Sequence, residues 1–516
     1  MLYTQVYRNI LNLKIKICHI VNSKLEFYTK NTFKRFLRMQ KHFFIFRKSL
    51  FLFSFLILVL LCSCIQTEPK PTERLPIEYL INYVAEKGSD YTYEISDSIV
   101  KQDYTLYHIK MISGSWLTED QVRQTLWWHW VDIVVPKEIT SPNALLYVGG
   151  GSSNDNKIYL DSIAIIQSIK TQSVIAHISN VPFQPLNFKG TDSIDRYEDN
   201  IIAYGWEKFL SKGAKNDDMI WLARFPMTRA VVRAMDVIEE ITKHNAFVTK
   251  KFLVSGASKR GWTTWTSAAV DDRVVGIAPL VIDLLNVLPS FEHHYKAYGD
   301  WSPAVQNYVE VGIMDWMGTP AFDRLKDLVE PYEFKEIFKL PKLIVNGTID
   351  EFFLPDSWQF YWDQLPDPKY LQYVPNGNHG LAGSYRAQNV YSFYDRLIHK
   401  KTMPNMDWKI LGDSIFVDID TNEPYNISLW KANNPKARDF RIWEIGKSWE
   451  KSIIPIQNSG TYALKIPEGE GYTASLIEVI FRGNQDSPIT LTTGTVVRPD
   501  TYKYEPYEPK LIKKLD

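Results

Sequence analysis

The sequence KKFLVSGASKRGWTTWTSAAV, residues 250–270, predicts a short buried strand that runs directly into a helix. Phe252, Leu253 and Val254 form an apolar run typical of a strand that is buried on both faces. The small residues that follow permit a sharp turn, which lifts the hydroxyl of Ser258 above the sheet edge. Backbone N–H groups at the start of the helix favour negative charge there. This is the geometry of an acyl-transfer nucleophile.

The turn departs from the common G-x-S-x-G pattern at one position. Arg260 stands two residues after the serine, and the glycine arrives only at Gly261. A glycine-rich turn whose serine merely caps the helix would have a similar sequence, so other parts of the chain must separate the two interpretations. We expect Arg260 to face the substrate or to pair with a nearby carboxylate.

Length and charge narrow the class of protein. A chain of 516 residues with 45% hydrophobic content can bury a large core and is expected to hold more than one domain. Lys plus Arg and Asp plus Glu number 59 each, which gives a formal net charge of zero. This balance argues against nucleic acid or an anionic surface as the main partner.

The N-terminal segment resembles a secretory leader. Residues 48–64, KSLFLFSFLILVLLCSC, form an apolar run after basic residues and are too short for a comfortable membrane span. Their end, LCSC, resembles a bacterial lipoprotein box in which Cys64 is lipidated. A plain signal peptide and an N-terminal membrane anchor are the alternatives. The expected location is therefore the bacterial cell envelope, with a lipid anchor in a membrane outside the cytoplasm.

The leader also predicts where the folded part begins. Met39 opens a signal of ordinary length, so residues 1–38 are interpreted as an upstream extension and residues 39–63 as the signal peptide. The polar, Pro-rich residues 64–76 are typical of a tether. Because all three cysteines lie in this leader, the mature chain would contain Cys64 alone and no internal disulfide.

Alternating strand and helix patterns between residues 77 and 402 predict an α/β domain with a mostly parallel sheet. The apolar run ALLYV, residues 144–148, leads into the glycine loop Gly149–Gly151. Such a loop lets backbone N–H groups approach a ligand closely, and it resembles the HGGG-type loop that supplies half of an esterase oxyanion hole. An ordinary flexible turn is the alternative.

Three polar residues follow predicted strands at the edge where active groups gather in open α/β sheets: Ser258, Asp350 and His379. A serine hydroxyl needs a histidine to remove its proton, and that histidine needs a carboxylate to orient it. The chain order Ser, Asp, His is that of the α/β-hydrolases. Asp283 competes with Asp350 as the acid because it also ends a strand, and Glu351 is a weaker candidate.

A long insertion at residues 284–340 is rich in aromatic residues, and insertions at this position often form a cap over the active site. The packing of a helical subdomain is the alternative interpretation. His293, His294 and Trp301, together with Arg260, are the candidates for the substrate pocket. The two histidines lack a HExxH context and carboxylates at metal spacing, and the glycine loop lacks a nucleotide-binding fingerprint. We therefore predict neither a metal nor a cofactor.

Beyond residue 403 the pattern changes to short alternating runs that are bounded by Gly, Pro, Asn or Asp. This pattern predicts a separate antiparallel β-sandwich domain at residues 403–516 that brings no catalytic group.

Several motifs together resemble the PhoPQ-activated pathogenicity-related family: GASKRGWTTWTSAAVD from residue 256, VIDLLN from residue 281 and NGTIDEFFLPDS from residue 346. The late glycine after the serine is similar to the elbow of that family. The resemblance implies an α/β-hydrolase fold with a triad of Ser258, Asp350 and His379. It also implies that the backbone N–H of Lys259 and the loop Gly149–Gly151 donate to the oxyanion.

Two functions fit the sequence. The first is an envelope-anchored serine hydrolase that acts on an ester or a peptide, and the second is a catalytically inactive hydrolase-fold protein that binds or signals at the envelope. Ester and amide substrates remain equal alternatives, because both react through the same tetrahedral oxyanion. The sequence leaves the oligomeric state open.

Overall fold

The computed structural model describes residues 75–190, 193–244, 248–381, 386–483 and 487–511. Cys64 and the leader segments predicted at residues 1–38 and 39–63 lie outside these residues, as does almost all of the predicted tether. Within these described ranges, no helix has both the length and the apolar character needed to span a membrane.

A nine-stranded sheet organises the N-terminal three quarters of the described chain. Its strands in chain order are β1 (Thr92–Val100), β2 (Tyr104–Ser115), β3 (Leu126–Pro136), β4 (Asn143–Val148), β5 (Val174–Ile178), β6 (Lys251–Ala257), β7 (Val274–Leu280), β8 (Lys342–Gly347) and β9 (Lys369–Val374).

Across the sheet the strands follow the order β1-β2-β3-β5-β4-β6-β7-β8-β9. Strands β4 to β9 are parallel to one another, whereas β1, β2 and β3 add an antiparallel edge. Strand β6 lies between β4 and β7, and its residues from Phe252 to Gly256 are all buried. The apolar run before Ser258 is therefore explained by a central position, where side chains on both faces are covered.

Helices connect the parallel strands and cover the sheet. They are α1 (Pro76–Ala85), α2 (Ser162–Thr171), α3 (Asp199–Ser211), α4 (Arg224–Thr242), α5 (Lys259–Val270), α6 (Val287–Tyr298), α7 (Gln306–Glu310), α8 (Pro320–Val329), α9 (Arg386–Ile398) and α10 (Ile442–Ile445). Short 3₁₀ turns lie at Asn216–Trp221, Pro303–Val305, Ile313–Trp316, Pro331–Ile337, Ser357–Phe360 and Trp362–Gln364. The mostly parallel sheet confirms the predicted α/β-hydrolase-type fold class.

The insertion predicted at residues 284–340 is helical, and it contains α6, α7 and α8. Tyr308 of this insertion donates a hydrogen bond to Asp199 of α3 at 2.9 Å, and Asn200 of α3 donates to Asn307 at 3.2 Å. The insertion therefore packs on the helix that neighbours the start of α5.

The C-terminal part contains the predicted antiparallel strands, which form two sheets. The strands are β10 (Asn405–Leu411), β11 (Ser414–Asp420), β12 (Tyr425–Asn434), β13 (Glu450–Ile454), β14 (Thr461–Lys465), β15 (Tyr472–Phe481), β16 (Ile489–Thr492) and β17 (Val496–Arg498). One sheet has the order β10-β11-β14, and the other has the order β13-β12-β15-β16 with β17 paired to β15.

These C-terminal sheets share a buried cluster with the large sheet. Leu253 of β6 and Val345 of β8 belong to the same cluster as Ile415 of β11 and Val479 of β15. The boundary at residue 403 remains a sequence prediction, but the core on its two sides is continuous.

Candidate active site

Ser258 lies at a sharp turn between β6 and α5. Its backbone adopts φ 57° and ψ −126°, which non-glycine residues rarely do and which is typical of a strained nucleophile elbow. The N–H of Ser258 donates to the carbonyl of Leu280 at 2.8 Å, which fixes the turn on β7. The serine therefore stands at the carboxyl end of a central parallel strand, as the sequence predicts.

Two glycines make this turn possible. A Cβ on Gly256 would lie 2.8 Å from the carbonyl oxygen of Arg260, and a Cβ on Gly261 would lie 2.8 Å from Cγ2 of Ile282. The close approach of β6 and β7 to the helix thus falls at positions 256 and 261. Because the crowded position is 261, position 260 accommodates a long side chain, which explains the late glycine.

His379 and Asp350 form a direct pair. Nδ1 of His379 lies 2.9 Å from Oδ2 and 3.0 Å from Oδ1 of Asp350. The carboxylate is buried and also accepts the N–H groups of Phe352 at 2.7 Å and Phe353 at 3.3 Å. These N–H groups hold Asp350 in place, and Asp350 in turn orients the imidazole.

The structure separates Asp283 from this pair. Its oxygens accept hydrogen bonds from the hydroxyl of Tyr361 at 2.6 Å and from the hydroxyl of Tyr373. Burial raises the pKa of Asp283 to about 8. Glu351, the weaker candidate, accepts the backbone N–H of His379 at 2.8 Å. Of the three carboxylates, only Asp350 is hydrogen-bonded to the imidazole ring within the part of the chain that the structure describes.

A cavity of about 360 Å³ joins these groups. Ser258 and His379 both contribute to its wall. Thirteen residues line it: Tyr147, Val148, Gly149, Gly150, Tyr159, His177, Ala257, Ser258, Lys259, Arg260, Val281, Phe352 and His379. A volume of this size falls in the range of small-molecule sites and suits a small acyl group or one residue of a larger substrate.

Gly149 and Gly150 of the glycine loop line the cavity, but not all N–H groups of the loop are available. The N–H of Gly149 donates to the carbonyl of Ile178 at 2.8 Å and so continues the pairing of β4 with β5. The prediction of Gly149 as an oxyanion donor is therefore wrong, because its hydrogen is already used. Gly150, Gly151 and Lys259 remain the candidate donors, and Lys259 is the first residue of α5, where N–H groups lack helical partners.

Arg260 lines the cavity and is also paired with a carboxylate. Its Nη2 lies 2.5 Å from Oε1 of Glu198, and its Nε donates to the carbonyl of Val181 at 2.5 Å. The buried ammonium of Lys259 lies 2.9 Å from Oε2 of Glu198 and 2.8 Å from Asp199. Arg260 therefore lines the cavity and also has a carboxylate partner, so the two expectations for this residue are compatible.

The other three predicted pocket residues are not brought to this cavity. His293 is buried between Asp356, at 2.9 Å, and the hydroxyl of Tyr502, at 2.8 Å. Nε2 of His294 accepts the N–H of Ser302 at 3.0 Å. Trp301 packs edge-on against Phe291. His293 and Trp301 pack the insertion against the loop after β8 and the C-terminal residues, and His294 is bonded within the insertion, so their predicted role in the pocket is wrong.

An aromatic stack that the sequence did not reveal forms another wall of the cavity. The ring of His177 lies between those of Tyr147 and Tyr159, with centroid distances of 5.6 and 5.1 Å and interplanar angles of 15° and 18°. Burial lowers the pKa of His177 to about 3, so its imidazole is neutral. Tyr147 and His177 are register partners on β4 and β5, which only the strand pairing shows.

Among the described residues, no group of three or more His, Cys, Asp or Glu side chains is arranged to hold a metal ion.

The structure combines a strained serine elbow with a His–Asp pair, and both lie at one cavity at the carboxyl edge of a mostly parallel sheet. These features define a protein of the α/β-hydrolase class. Within that class, the chain belongs to the PhoPQ-activated pathogenicity-related protein family, whose model matches residues 80–441. The resemblance in the sequence motifs is thereby confirmed. The autocrine proliferation repressor protein A of Dictyostelium discoideum is 32% identical over 455 residues, which cover 82% of this chain and 91% of that protein.

Solved structures with similar chains include esterases at low sequence identity. Acetyl xylan esterase 1 from Thermoanaerobacterium sp. JW/SL YS485 has a TM-score of 0.41 and 15% identity, and the match covers 59% of this chain and 88% of that chain. A glucuronoyl esterase from Solibacter usitatus has a TM-score of 0.34 and 12% identity, with coverage of 62% and 91%.

Proposed function

We propose that this protein is a serine hydrolase that cleaves an ester or a peptide with Ser258, His379 and Asp350. One observation carries the proposal: His379 is held by Asp350 at 2.9 Å and lines the same cavity as the strained Ser258. A solvated loop histidine or a helix-capping serine would need neither the pairing nor the shared cavity. These two features together favour catalysis over the interpretation of the elbow as a simple helix cap.

In this mechanism Oγ of Ser258 attacks the substrate carbonyl while His379 accepts the hydroxyl proton. Asp350 keeps the imidazole in the tautomer whose Nε2 is free to accept that proton. The N–H of Lys259, together with the glycine loop, stabilises the negative charge that develops on the carbonyl oxygen. His379 then gives this proton to the leaving oxygen or nitrogen, which leaves an acyl group on Oγ of Ser258. Water attacks this acyl group as His379 takes its proton, and His379 returns that proton to Oγ of Ser258 when the acid leaves.

A fluorophosphonate probe tests the nucleophile directly, because it reacts with activated serines. Labelling of the wild type should disappear in Ser258→Ala and fall at least about 10³-fold in rate in His379→Ala, since members of a triad act as one unit. Ser255→Ala is the matched control, because Ser255 is a buried serine of the same strand that donates to the carbonyl of Ala278. That variant should label at the wild-type rate.

Hydrolysis of acyl and aminoacyl chromogenic substrates by the same variants separates ester from amide specificity. Labelling that survives Ser258→Ala would reject Ser258 as the nucleophile. Absence of both labelling and hydrolysis in the wild type would favour the alternative function, an inactive hydrolase-fold protein that binds or signals at the envelope.

We also propose that Cys64 is lipidated and anchors the protein in a bacterial envelope, since an apolar run ends in LCSC at that position. A single acyl chain gives only marginal membrane binding, so a stable anchor needs the multiple chains that a lipoprotein carries. Cys64→Ala should move the protein from the membrane fraction to the soluble fraction or block its processing. Unchanged partitioning of the variant would contradict the lipoprotein interpretation.

A further inference from the structure

Arg260 begins a chain of hydrogen bonds that leads from the elbow to the far side of the cavity. Its guanidinium bonds the carbonyl of Val181 and the carboxylate of Glu198, each at 2.5 Å. The same guanidinium lies against the glycine loop, because a Cβ on Gly150 would be 2.8 Å from Nη2. The residue that replaces the usual glycine of the elbow therefore contacts the backbone that faces the serine.

Glu198 is in turn hydrogen-bonded to Gln184. Nε2 of Gln184 donates to Oε1 of Glu198 at 2.9 Å and to the carbonyl of Gly151 at 2.6 Å. In return, the backbone N–H of Glu198 donates to Oε1 of Gln184 at 2.8 Å. Glu198 has a φ of 52°, an uncommon value for a non-glycine residue, and these reciprocal bonds hold it there. The amide of Gln184 thus joins the carboxylate to the last residue of the glycine loop.

The segment that contains Gln184 holds the other two carbonyls of the loop. The N–H of Val181 donates to the carbonyl of Gly149 at 3.2 Å, and the N–H of Asn180 donates to the carbonyl of Gly150 at 2.8 Å. Because a trans peptide is planar, the N–H of each following residue points away from the carbonyl before it. Bonds at the carbonyls of Gly149 and Gly150 therefore set the directions of the N–H groups of Gly150 and Gly151.

We propose that Arg260, Glu198 and Gln184 form a tether that holds the glycine loop in register with Ser258, and that Arg260 is a positioning residue for the oxyanion site. The proposal rests on the proposed hydrolase function, because an oxyanion site needs donors at a fixed distance from the nucleophile. Arginine suits this position since its planar fork donates to a carbonyl and a carboxylate at once, whereas a lysine ammonium on a flexible stem does not hold that geometry.

The test compares Arg260→Lys, Glu198→Gln and Gln184→Ala with the wild type, using p-nitrophenyl acetate as the probe substrate. Loss of one oxyanion donor lowers kcat by about 10²–10³-fold, so a misplaced loop is expected to lower kcat by about 10- to 100-fold. In Glu198→Gln and Gln184→Ala the KM should change much less, because neither residue lines the cavity, whereas Arg260 does. Gln184→Ala is the most informative variant, since the side chain of Gln184 bonds Gly151 and Glu198 and not Ser258 or His379.

Arg396→Met is the matched control. Arg396 is also a buried arginine paired with a glutamate, Glu423, at 2.6 Å, but it belongs to α9 and does not line the cavity. This variant should retain the wild-type kcat in the folded protein. If Gln184→Ala and Arg260→Lys both keep the wild-type kcat and KM, the tether proposal is overturned.

A second measurement keeps the tether separate from the proposed function. Hydrogen exchange should become faster at residues 149–151 and 180–184 in Gln184→Ala and remain unchanged there in Arg396→Met. Faster exchange in a protein whose wild type shows no fluorophosphonate labelling would reject the hydrolase function while supporting the tether. Unchanged exchange in Gln184→Ala would overturn the tether even if the wild type labels.

Discussion

Ser258 adopts a strained backbone conformation at the turn between β6 and α5. A φ of 57° costs a non-glycine residue on the order of 1–3 kcal/mol, and it persists only where the surroundings require it. Here the N–H of Ser258 is fixed on Leu280, and the turn closes against glycines at 256 and 261. These contacts hold Ser258 at the cavity wall.

Gly261→Ala tests this closure. The added Cβ would lie 2.8 Å from Ile282 Cγ2 and 3.0 Å from the carbonyl oxygens of Gly256 and Leu280. Overpacking of this kind should lower the free energy of unfolding by about 1–3 kcal/mol, measured by urea denaturation. Gly380→Ala is the control, since its Cβ would lie 3.6 Å from Oδ1 of Asn378, an ordinary van der Waals contact. Equal stability of the two variants would contradict the proposed crowding.

Asp283 should make the stability of the protein depend on pH. Burial raises its pKa from 3.8 to about 8, so between these values the folded protein keeps a proton that the unfolded chain releases. Its contribution to stability is therefore full at acid pH and is lost as the pH rises through about 8. Asp283→Asn, which cannot ionise, should lose less stability than the wild type between about pH 5 and about pH 9 in urea titrations.

The two candidate acids should also differ in activity. Asp350→Asn should lower fluorophosphonate labelling and hydrolysis strongly, because the carboxamide no longer fixes the tautomer of His379, and a change of about 10⁴-fold is known for such a replacement in serine proteases. Asp283→Asn should cost little. Loss of labelling in Asp283→Asn rather than in Asp350→Asn would move the acid to the preceding strand.

At the scale of elements, the loop after β8 is held from two sides. The hydroxyl of Ser302, in the helical insertion, donates to the carbonyl of Glu351 at 2.7 Å. From the C-terminal part, the N–H of Ile442 donates to the carbonyl of Ile349 at 3.2 Å. The insertion and the C-terminal part thus hold the two neighbours of Asp350, and the position of this carboxylate depends on both.

A buried ion pair strengthens the second of these connections. Arg438 lies 2.7 Å from Oδ2 of Asp356, and His293 lies 2.9 Å from Oδ1 of the same carboxylate. Arg438→Met should leave Asp356 with an uncompensated buried charge and lower the free energy of unfolding by about 3–5 kcal/mol. The double variant Arg438→Met/Asp356→Asn removes both charges and should recover part of this loss in urea denaturation. A double variant less stable than both single variants would argue against this explanation.

At the scale of the molecule, residues on both sides of position 403 share a core. The N–H of Tyr373, on β9, donates to Oγ1 of Thr492, on β16, at 2.8 Å, and apolar side chains of the two regions belong to one buried cluster. The C-terminal sheets therefore complete the hydrophobic core of the hydrolase part in addition to burying their own strands.

This shared core predicts that residues 75–511 unfold as one cooperative unit. Tryptophan fluorescence and far-ultraviolet circular dichroism should report coincident urea transitions. A chain that ends at residue 402 should be insoluble or unfolded, because the apolar side chains of β9 and α9 would lose their cover. Two separate transitions, or a well-folded truncated chain, would instead support an independent C-terminal domain.

The order of strands and helices and the three polar residues at the strand ends could be predicted from the amino-acid sequence. Hydrophobic periodicity identifies strands and helices because it reflects which faces are buried, and the order Ser258, Asp350, His379 follows from strand ends that meet at one edge of a parallel sheet. The sequence shows that the glycine comes one position later than in the elbow motif, but the steric reason for this position appears only in the structure. Leader motifs around Cys64 are readable in the sequence alone, and their function there remains a prediction.

The contacts between polar groups that are far apart in the chain became known from the packed structure. Strand register and the distances between loops explain three findings. Asp350 is the partner of His379, the N–H of Gly149 is already used, and His293 lies away from the cavity. The pairing of Arg260 with Glu198 spans 62 residues and has no local pattern. Periodicity records burial along one element, whereas hydrogen bonds and ion pairs form between elements, so their partners become known only when the elements are packed.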